Sequence, residues 1–491
     1  MKLQEIIKDI EIIDIKGKLD IDVSSIEFDS RKIVEGTLFV CVRGFSVDGH
    51  KFIKNAIEKG AKSFLVEEDF LTIEKEVGID IEDFSFMKVK NTRKTMAKIA
   101  TNFYRNPSKE MDVVGVTGTN GKTSITTFLN EILSYNDKKV GLVGTIKIFD
   151  GIDEIESSNT TPESIDLQNY FRKMVDNNCE SAVMEVSSHS LVLDRVFETD
   201  FKIGVFTNLT PDHLDFHKDL DDYRDAKEKL FLNTSVANII NIDDEGGKVI
   251  YANIKNLDTK AYTYSVDNKA DFYAKNIEMK VDGVYYTAVT PTYETEVFVP
   301  VCGKFTIYNT LAVIATCYLL NIDKEIIVNI LAKTSGVNGR FEKVENNKGM
   351  NVVVDYAHTP DALENVINTS KEFTKGKVIT VFGCGGDRDT TKRPMMAKIS
   401  TELSDFTIIT SDNPRTESPN DIINDIVSGV VTENYKVVID RKDAIIEAIK
   451  LATPKDLVLI AGKGHETYQI IGKEKTHFDD KEVAREFICT L

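Results

Sequence analysis

A chain of 491 residues is too long for one hydrophobic core, so about two to four domains are expected. With 61 basic against 79 acidic side chains the formal net charge is −18, which disfavours nucleic acid or anionic membrane as a partner. No apolar run approaches a membrane-spanning length, the start MKLQEIIKDIEIID is too charged for a signal peptide, and the six cysteines (Cys41, Cys179, Cys302, Cys317, Cys384, Cys489) form no CxxC; a cytoplasmic protein with buried, inert thiols is expected.

From Met1 to about Asn91 short strands and helices alternate: a strand from Thr37 to Val42, a helix from about His50 to Gly60 and a strand from Ser63 to Glu67. This reads as a small α/β unit. The helical segment Asn91 to Asn106 stops before Pro107, which disfavours helix in the residue preceding it, and a boundary is placed near residue 92.

The run Val113 to Thr123, VVGVTGTNGKT, reads as strand, phosphate loop and the start of a helix from Ser124 to Tyr135. Backbone N–H groups at a helix N-terminus and a lysine can hold a polyphosphate, and the following hydroxyl can ligate Mg²⁺. The expected tenant is a nucleoside triphosphate. The loop is not a regular Walker A sequence, because Val116 stands where its first glycine belongs; the compact form is Gly118, Thr119, Asn120, Gly121, Lys122, Thr123.

Buried-strand runs follow at Val140 to Val143, Ala182 to Val186, Ile203 to Thr207 and Ile239 to Ile242, which predict a largely parallel sheet covered on both faces. The second of them ends in Glu185, a carboxylate placed to ligate nucleotide-bound Mg²⁺. The stretch TNLTPDHLDFH then delivers Asp212, His213 and Asp215, with His213 as ligand of a second divalent ion. Five histidines (His50, His189, His213, His358, His465) fall at strand ends or in loops of the kind that carry chemistry, whereas His217 and His477 read as surface or capping residues.

In YRDAKEKLF helical spacing puts Tyr223, Lys227 and Phe231 on one face, so Lys227 lies on a buried stripe. Such a lysine meets a carboxylate, is modified, or snorkels to water. Residues from about Asp258 to Pro300 show period-two spacing and predict an antiparallel appendage.

After Ser335 the rhythm becomes regular. Strands at Asn351 to Asp355, Val378 to Phe382, Phe406 to Thr410, Lys436 to Ile439 and Leu457 to Ala461 alternate with helices at Asp361 to Phe373, Arg393 to Leu403, Asp421 to Val430 and Lys442 to Leu451. This predicts a doubly wound α/β domain whose ligand crevice lies outside the carboxyl ends of the strands. Tyr356 to His358, Gly383 to Asp389, Asp412 to Arg415 and Gly462 to Glu466 fall there.

The order of GTNGKT, MEVSSH, TNLTPDHLDFH and AK..LF resembles the Mur ligases, and the resemblance covers essentially the whole chain. It implies three α/β domains: a uridine-nucleotide domain at 1–92, a central P-loop ATPase-like domain with a mostly parallel sheet at 93–335, and a C-terminal doubly wound Rossmann-like domain at 336–491. DSRKIVEGTLFVCVRG (Asp29 to Gly44), the TTP at Thr160 to Pro162 and DYAHTPDAL (Asp355 to Leu363) are similar to the branch that extends UDP-N-acetylmuramoyl-L-alanyl-D-glutamate.

The resemblance also implies residue roles. Ser30 and Arg31, with the turn from Val47 to His50, match the uridine-nucleotide site, and Thr160, Thr161, Ser187 and Arg195 match muramoyl-dipeptide contacts. Lys227 matches a carbamylated lysine that helps hold the second of two Mg²⁺ ions, beside Thr123, Glu185 and His213. Lys122 belongs to the phosphate loop, His358 and Arg340 match residues near the ATP phosphates and ribose, and Asn309 matches an adenine contact. The usual Phe-Asn-x-x-Asn is altered here, with Thr306 after Phe305, which puts adenine affinity in question.

The tetrad Asp412-Asn413-Pro414-Arg415 resembles that of members adding meso-diaminopimelate, whereas spacing alone would also allow a plain type I turn. Diaminopimelate differs from lysine by a distal carboxylate, which a bidentate arginine rewards and whose absence an unpaired guanidinium penalises. Arg388 is expected on an amino-acid carboxylate, and Glu466, with Gly462, on the distal ammonium.

The implied activity is ATP-dependent amide formation through an acyl phosphate, carried out by a monomer on small molecules in peptidoglycan precursor synthesis. A lysine-adding relative, a folylpolyglutamate-type ligase and an ATP-dependent switch that ligates nothing are the alternatives.

Overall fold

The computed structural model describes residues 1–44, 47–78, 83–157, 159–280 and 282–491, which form two compact units. One holds residues 1–117, 133–204 and 226–237, and the other 118–132, 205–225 and 238–491. No helix among the described residues is long and apolar enough to cross a membrane.

In the first unit a five-stranded sheet runs in the order Asp14–Lys16, Ser85–Lys88, Ser63–Val66, Thr37–Val40, Ser25–Glu27, parallel except for its first pair. Thr37–Val40 and Ser63–Val66 are buried at every position, because the sheet is covered on both faces. Phe39, Phe64 and Phe86 pack on one side with Ile53 and Ala56, and Leu38, Val40 and Leu65 on the other with Met96 and Ile99. The helix expected from His50 opens instead as a 3-10 turn, Gly49–Phe52, because the Asp48 carboxylate caps the His50 N–H; the α-helix proper is Ile53–Glu58. Thr92–Phe103 is capped by Asn91, whose side chain accepts from the Lys94 N–H at 2.9 Å.

The same unit carries Asp112–Thr117, which leads to the phosphate loop. It pairs in parallel with Ser181–Glu185, and that strand pairs in parallel with Val140–Val143. Lys147–Phe149 and Glu154–Glu156 continue the edge antiparallel. Gly115, in Asp112–Thr117, makes room for the Phe201 ring, from which a Cβ there would lie 2.7 Å.

In the second unit the helix after the loop is Lys122–Leu133, so it begins at the loop lysine itself, two residues before the expected Ser124. The appendage corrects the all-antiparallel expectation: Lys260–Ser265 pairs in parallel with Phe272–Lys280, and only then do Gly283–Val289 and Glu294–Val299 add antiparallel. The Asp271 carboxylate accepts from the Thr263 N–H at 2.8 Å and its hydroxyl at 2.7 Å, which brings the chain back in the same direction.

The C-terminal sheet has six strands in the order Glu342–Lys343, Asn351–Asp355, Leu457–Ala461, Val378–Phe382, Phe406–Ile409, Tyr435–Val437, parallel except for the first pair. Apolar clusters cover both faces, with Ala444, Ile445 and Ile488 on one and Leu363, Met396 and Ile426 on the other. The last parallel strand inserts between the first two, so the strand ends that the sequence marks as chemical all open on one edge. A hairpin, Tyr468–Ile471 and Glu474–His477, and a final helix, Asp480–Thr490, complete the chain. Four cysteines are buried as expected, but Cys302 is partly exposed and Cys489, on the last helix, is exposed.

Candidate active site

The phosphate loop is packed so closely that its glycines leave no room for a Cβ. Gly118 has φ +145° and a Cβ there would meet Thr207 Oγ1 at 1.8 Å; Gly121 has φ +88° and a Cβ would meet Asn309 Oδ1 at 2.5 Å. The Thr119 and Asn120 N–H groups donate to Asn208 O and Oδ1, each at 2.9 Å, and the Thr207 hydroxyl donates to Asn120 O at 2.6 Å. Val116 is fully buried in the preceding strand, so the position of a Walker A first glycine lies outside the loop.

Lys122 Nζ donates to the Gly118 and Thr119 carbonyls at 2.9 and 2.8 Å, and Arg340 Nη2 donates to Thr123 Oγ1 at 3.2 Å. A cavity of about 340 Å³ opens beside them, lined by Asn120, Gly121, Thr123, Asn309 and Arg340. A helix N-terminus, a lysine, an arginine and a buried amide fit a nucleoside triphosphate.

Thr306 is buried, its hydroxyl donates to Cys302 O at 3.0 Å, and it does not line this cavity. The departure from the usual asparagine therefore falls on the helix's own backbone rather than on the nucleotide. Tyr308, which the sequence reading passed over, does line the cavity, its hydroxyl on Asp243 Oδ2 at 3.0 Å and Asp267 Oδ2 at 3.1 Å. Its signal was its place one turn after Lys304 on the same helix.

His358 donates from Nδ1 to Tyr356 O at 2.9 Å, and burial, reinforced by Lys392, holds its pKa below the ordinary histidine value. Burial alone would raise the Asp212 carboxyl, but His213, His358 and Lys392 outweigh it and pull the group below the usual range. His213 has φ +54°, and its Nε2 lies 3.4 Å from Asp212 Oδ2. Asp215 is exposed. His217 corrects the expectation of a surface residue: it is 2% exposed, pairs with Asp222 at 3.2 Å and packs on the Tyr223 ring.

In the first unit Glu185 is 1% exposed at its strand end, with Oε1 accepting from the Thr145 N–H at 2.8 Å. Gly144 leaves room for it, since a Cβ there would come within 2.7 Å of Oε1. The structure brings the dipeptide candidates together: Thr160 Oγ1 lies 3.0 Å from Thr145 Oγ1, Thr161 donates to Glu185 O at 2.8 Å, the Ser187 N–H donates to Thr161 Oγ1 at 3.1 Å, and Arg195 Nη1 donates to Thr161 O at 3.0 Å.

Lys227 is 1% exposed, as its helical face implied, although the helix ends at Glu228 and Phe231 sits on the 3-10 turn Lys229–Leu232. Arg31 is exposed and paired with Asp29, and neither it nor Ser30 lines a cavity of about 350 Å³ to which Arg43, Lys90 and Arg93 contribute three cations. Those three were missed; only Arg43, in the quoted N-terminal motif, carried a signal. His50 is satisfied within the fold, Nδ1 on Asp48 and Nε2 accepting from the Glu67 N–H, which makes it a structural residue of its turn.

Among the described residues no three His, Cys, Asp or Glu side chains converge as a metal site. Each unit by itself holds an oxygen donor of the kind Mg²⁺ takes, the Thr123 hydroxyl in one and the buried Glu185 carboxylate in the other. That chemistry fits Mg²⁺ better than a transition metal.

The C-terminal strand ends bring together the remaining candidates. Arg415 has φ +51°, a left-handed conformation uncommon for a side chain, fixed by its N–H donating to Ile470 O at 3.1 Å and by the Gly472 N–H donating to Arg415 O at 2.7 Å. Arg415 Nη1 donates to Gly386 O at 2.7 Å, and a Cβ on Gly385 would lie 2.9 Å from that nitrogen and 3.9 Å from Arg388 Cγ, so the two arginines flank one glycine. A Cβ on Gly386 would meet Pro414 O at 1.9 Å. Gly462, φ +117°, lets the chain pass Asp412 Oδ2, and Asn413 Nδ2 donates to Glu466 Oε2 at 2.8 Å. All the C-terminal candidates thus meet at one edge.

Three family models match the chain: "Mur ligase family, catalytic domain" at 22–104, "Mur ligase middle domain" at 116–317, and "Mur ligase, glutamate ligase domain" at 339–464. A protein of Clostridioides difficile strain 630 named UDP-N-acetylmuramoyl-L-alanyl-D-glutamate--2,6-diaminopimelate ligase is 62% identical over 100% of both chains. One of the same name from Alkaliphilus metalliredigens is 48% identical over 99% of this chain and 97% of its own. A solved structure bearing that ligase name is 30% identical, with TM-score 0.70, covering 100% of this chain and 99% of the other.

Proposed function

Because the chain belongs to the Mur ligase family, we propose that it is the ATP-dependent ligase joining meso-2,6-diaminopimelate to UDP-N-acetylmuramoyl-L-alanyl-D-glutamate, as a cytoplasmic monomer of domains 1–92, 93–335 and 336–491. The observation that carries the reading is Arg415, held in a left-handed backbone conformation beside Arg388, Asn413 and Glu466. A guanidinium fixed at such cost suits recognition of a distal carboxylate.

The γ-carboxylate of the D-glutamate attacks the γ-phosphate of ATP, giving an acyl phosphate and ADP. The amine of diaminopimelate then attacks the acyl carbon, phosphate leaves, and the amide remains. The loop N–H groups, Lys122 and Arg340 hold the phosphates, with His358 assigned beside them, and Asn309 holds the adenine. Thr160, Thr161, Ser187 and Arg195 hold the dipeptide, and Ser30, Arg31 and the cations Arg43, Lys90 and Arg93 the uridine diphosphate portion.

Thr123, Glu185, His213 and carbamylated Lys227 are the proposed ligands of two Mg²⁺ ions. Bound Mg²⁺ supplies neutralisation of the phosphate charge that develops during transfer. Lys227→Ala should abolish nearly all turnover and regain part of it in added acetate; undiminished turnover would show that no carbamate is needed. Phosphate release should require both UDP-muramoyl-dipeptide and diaminopimelate. Release without either substrate would point instead to an ATP-dependent switch.

A further inference from the structure

Lys463 has no part in the roles above, yet it is completely buried in the wall of the amino-acid pocket. An ammonium has three donors, and all are taken: Glu466 Oε2 at 3.0 Å, Asn413 Oδ1 at 3.2 Å and the Tyr468 carbonyl. No donor remains for a substrate, so Lys463 acts through its partners. Asn413 Oδ1 also accepts from the Ile470 N–H at 2.9 Å, which fixes the amide so that its Nδ2 donates to the same Glu466 oxygen at 2.8 Å. Both donors fall on Oε2, and Oε1 of Glu466 accepts no hydrogen bond among the described residues. The carboxylate, 15% exposed, is thus aimed by one oxygen and left available at the other.

The charge matters as much as the aim. An unpaired carboxylate in a low-dielectric wall attracts any ammonium, whereas one already paired with a buried cation presents little net charge. Lysine would bring a bare ammonium to Glu466. Diaminopimelate brings an ammonium with a carboxylate attached, and that carboxylate has Arg415 to meet.

We propose that Lys463 is a specificity-determining positioning residue: it aims Glu466 and neutralises its pull on a lone ammonium, so that selection falls to the distal carboxylate. This rests on the reading of the pocket as the diaminopimelate site. In Lys463→Met, kcat/KM for lysine relative to diaminopimelate should rise at least tenfold, with KM for ATP within twofold of the parent. An unchanged ratio, with both substrates losing in parallel, would overturn the proposal and leave Lys463 a purely structural residue.

Removing one partner of a buried pair is destabilising, while removing both is better tolerated, so Lys463→Met is also placed on Glu466→Gln. There it should change KM for diaminopimelate less than twofold, because its effect runs through Glu466; an independent tenfold rise would contradict that route. Arg415→Ala is measured alongside. If it leaves KM for diaminopimelate unchanged, the pocket reading itself fails; if it raises KM while Lys463→Met leaves the ratio alone, only the role of Lys463 fails.

Discussion

The phosphate loop and the proposed amino-acid pocket lie in the same compact unit, but the first is shaped by tight clearances at its glycines and the second by buried side-chain charge. In the loop, Gly118 and Gly121 occupy conformations and clearances that no Cβ allows, and the loop amides are strapped to Asn208. In the pocket, Arg415 accepts a strained backbone, Lys463 and Glu466 form a buried pair, and Arg441 lies fully buried against Asp480 at 2.7 Å, 3.9 Å from Asp412. A triphosphate is recognised by any helix N-terminus of the right shape. A distal carboxylate next to an ammonium has to be distinguished from an ammonium alone, and that takes fixed charges of both signs.

The contrast can be broken at either end. Lys122→Ala should lower kcat by about 10³-fold with KM for diaminopimelate unchanged, as loss of a charge stabilising phosphoryl transfer does; a comparable loss confined to diaminopimelate affinity would erase the distinction between the two regions. A smaller test lies at the adenine side. Asn309→Ala should raise KM for ATP about five- to tenfold, the worth of about one buried hydrogen bond, whereas Thr306→Asn should leave it within twofold, because Thr306 faces the Cys302 carbonyl and not the cavity. Tighter ATP binding in Thr306→Asn would return that position to the nucleotide.

The smallest effect concerns stability. Burial, with Arg340, Lys481 and Lys463 nearby, depresses His465 to about 4 from an ordinary 6.5. Between those values the unfolded chain binds the proton and the folded one does not, so stability present above pH 6.5 is lost as pH falls toward 4, by up to about 3 kcal/mol. His465→Phe should flatten the denaturation midpoint against pH over that window. An unchanged slope would mean that His465 is protonated in the fold.

Local patterns carried much of this structure in the sequence. The loop was legible because its residues are consecutive, and three C-terminal strands, Asn351–Asp355, Val378–Phe382 and Leu457–Ala461, stand where unbroken apolar runs put them. The hairpin Tyr468–His477 was not legible, since its strands are short and largely solvated and show no buried face. Lys463 was hidden for a different reason: its acceptors come from residues 413, 466 and 468, and only the fold brings the first to the others. The burial of His217 likewise depends on Tyr223 packing over it.

The most direct measurement is amide formation with meso-diaminopimelate and with L-lysine in parallel, for the parent protein and Arg415→Ala. Diaminopimelate should be preferred by the parent, and the variant should lose about 10²-fold in kcat/KM for it while KM for ATP stays within twofold. Equal use of lysine by the parent, or an Arg415→Ala that weakens ATP as much as diaminopimelate, would contradict the assignment of product choice to this pocket.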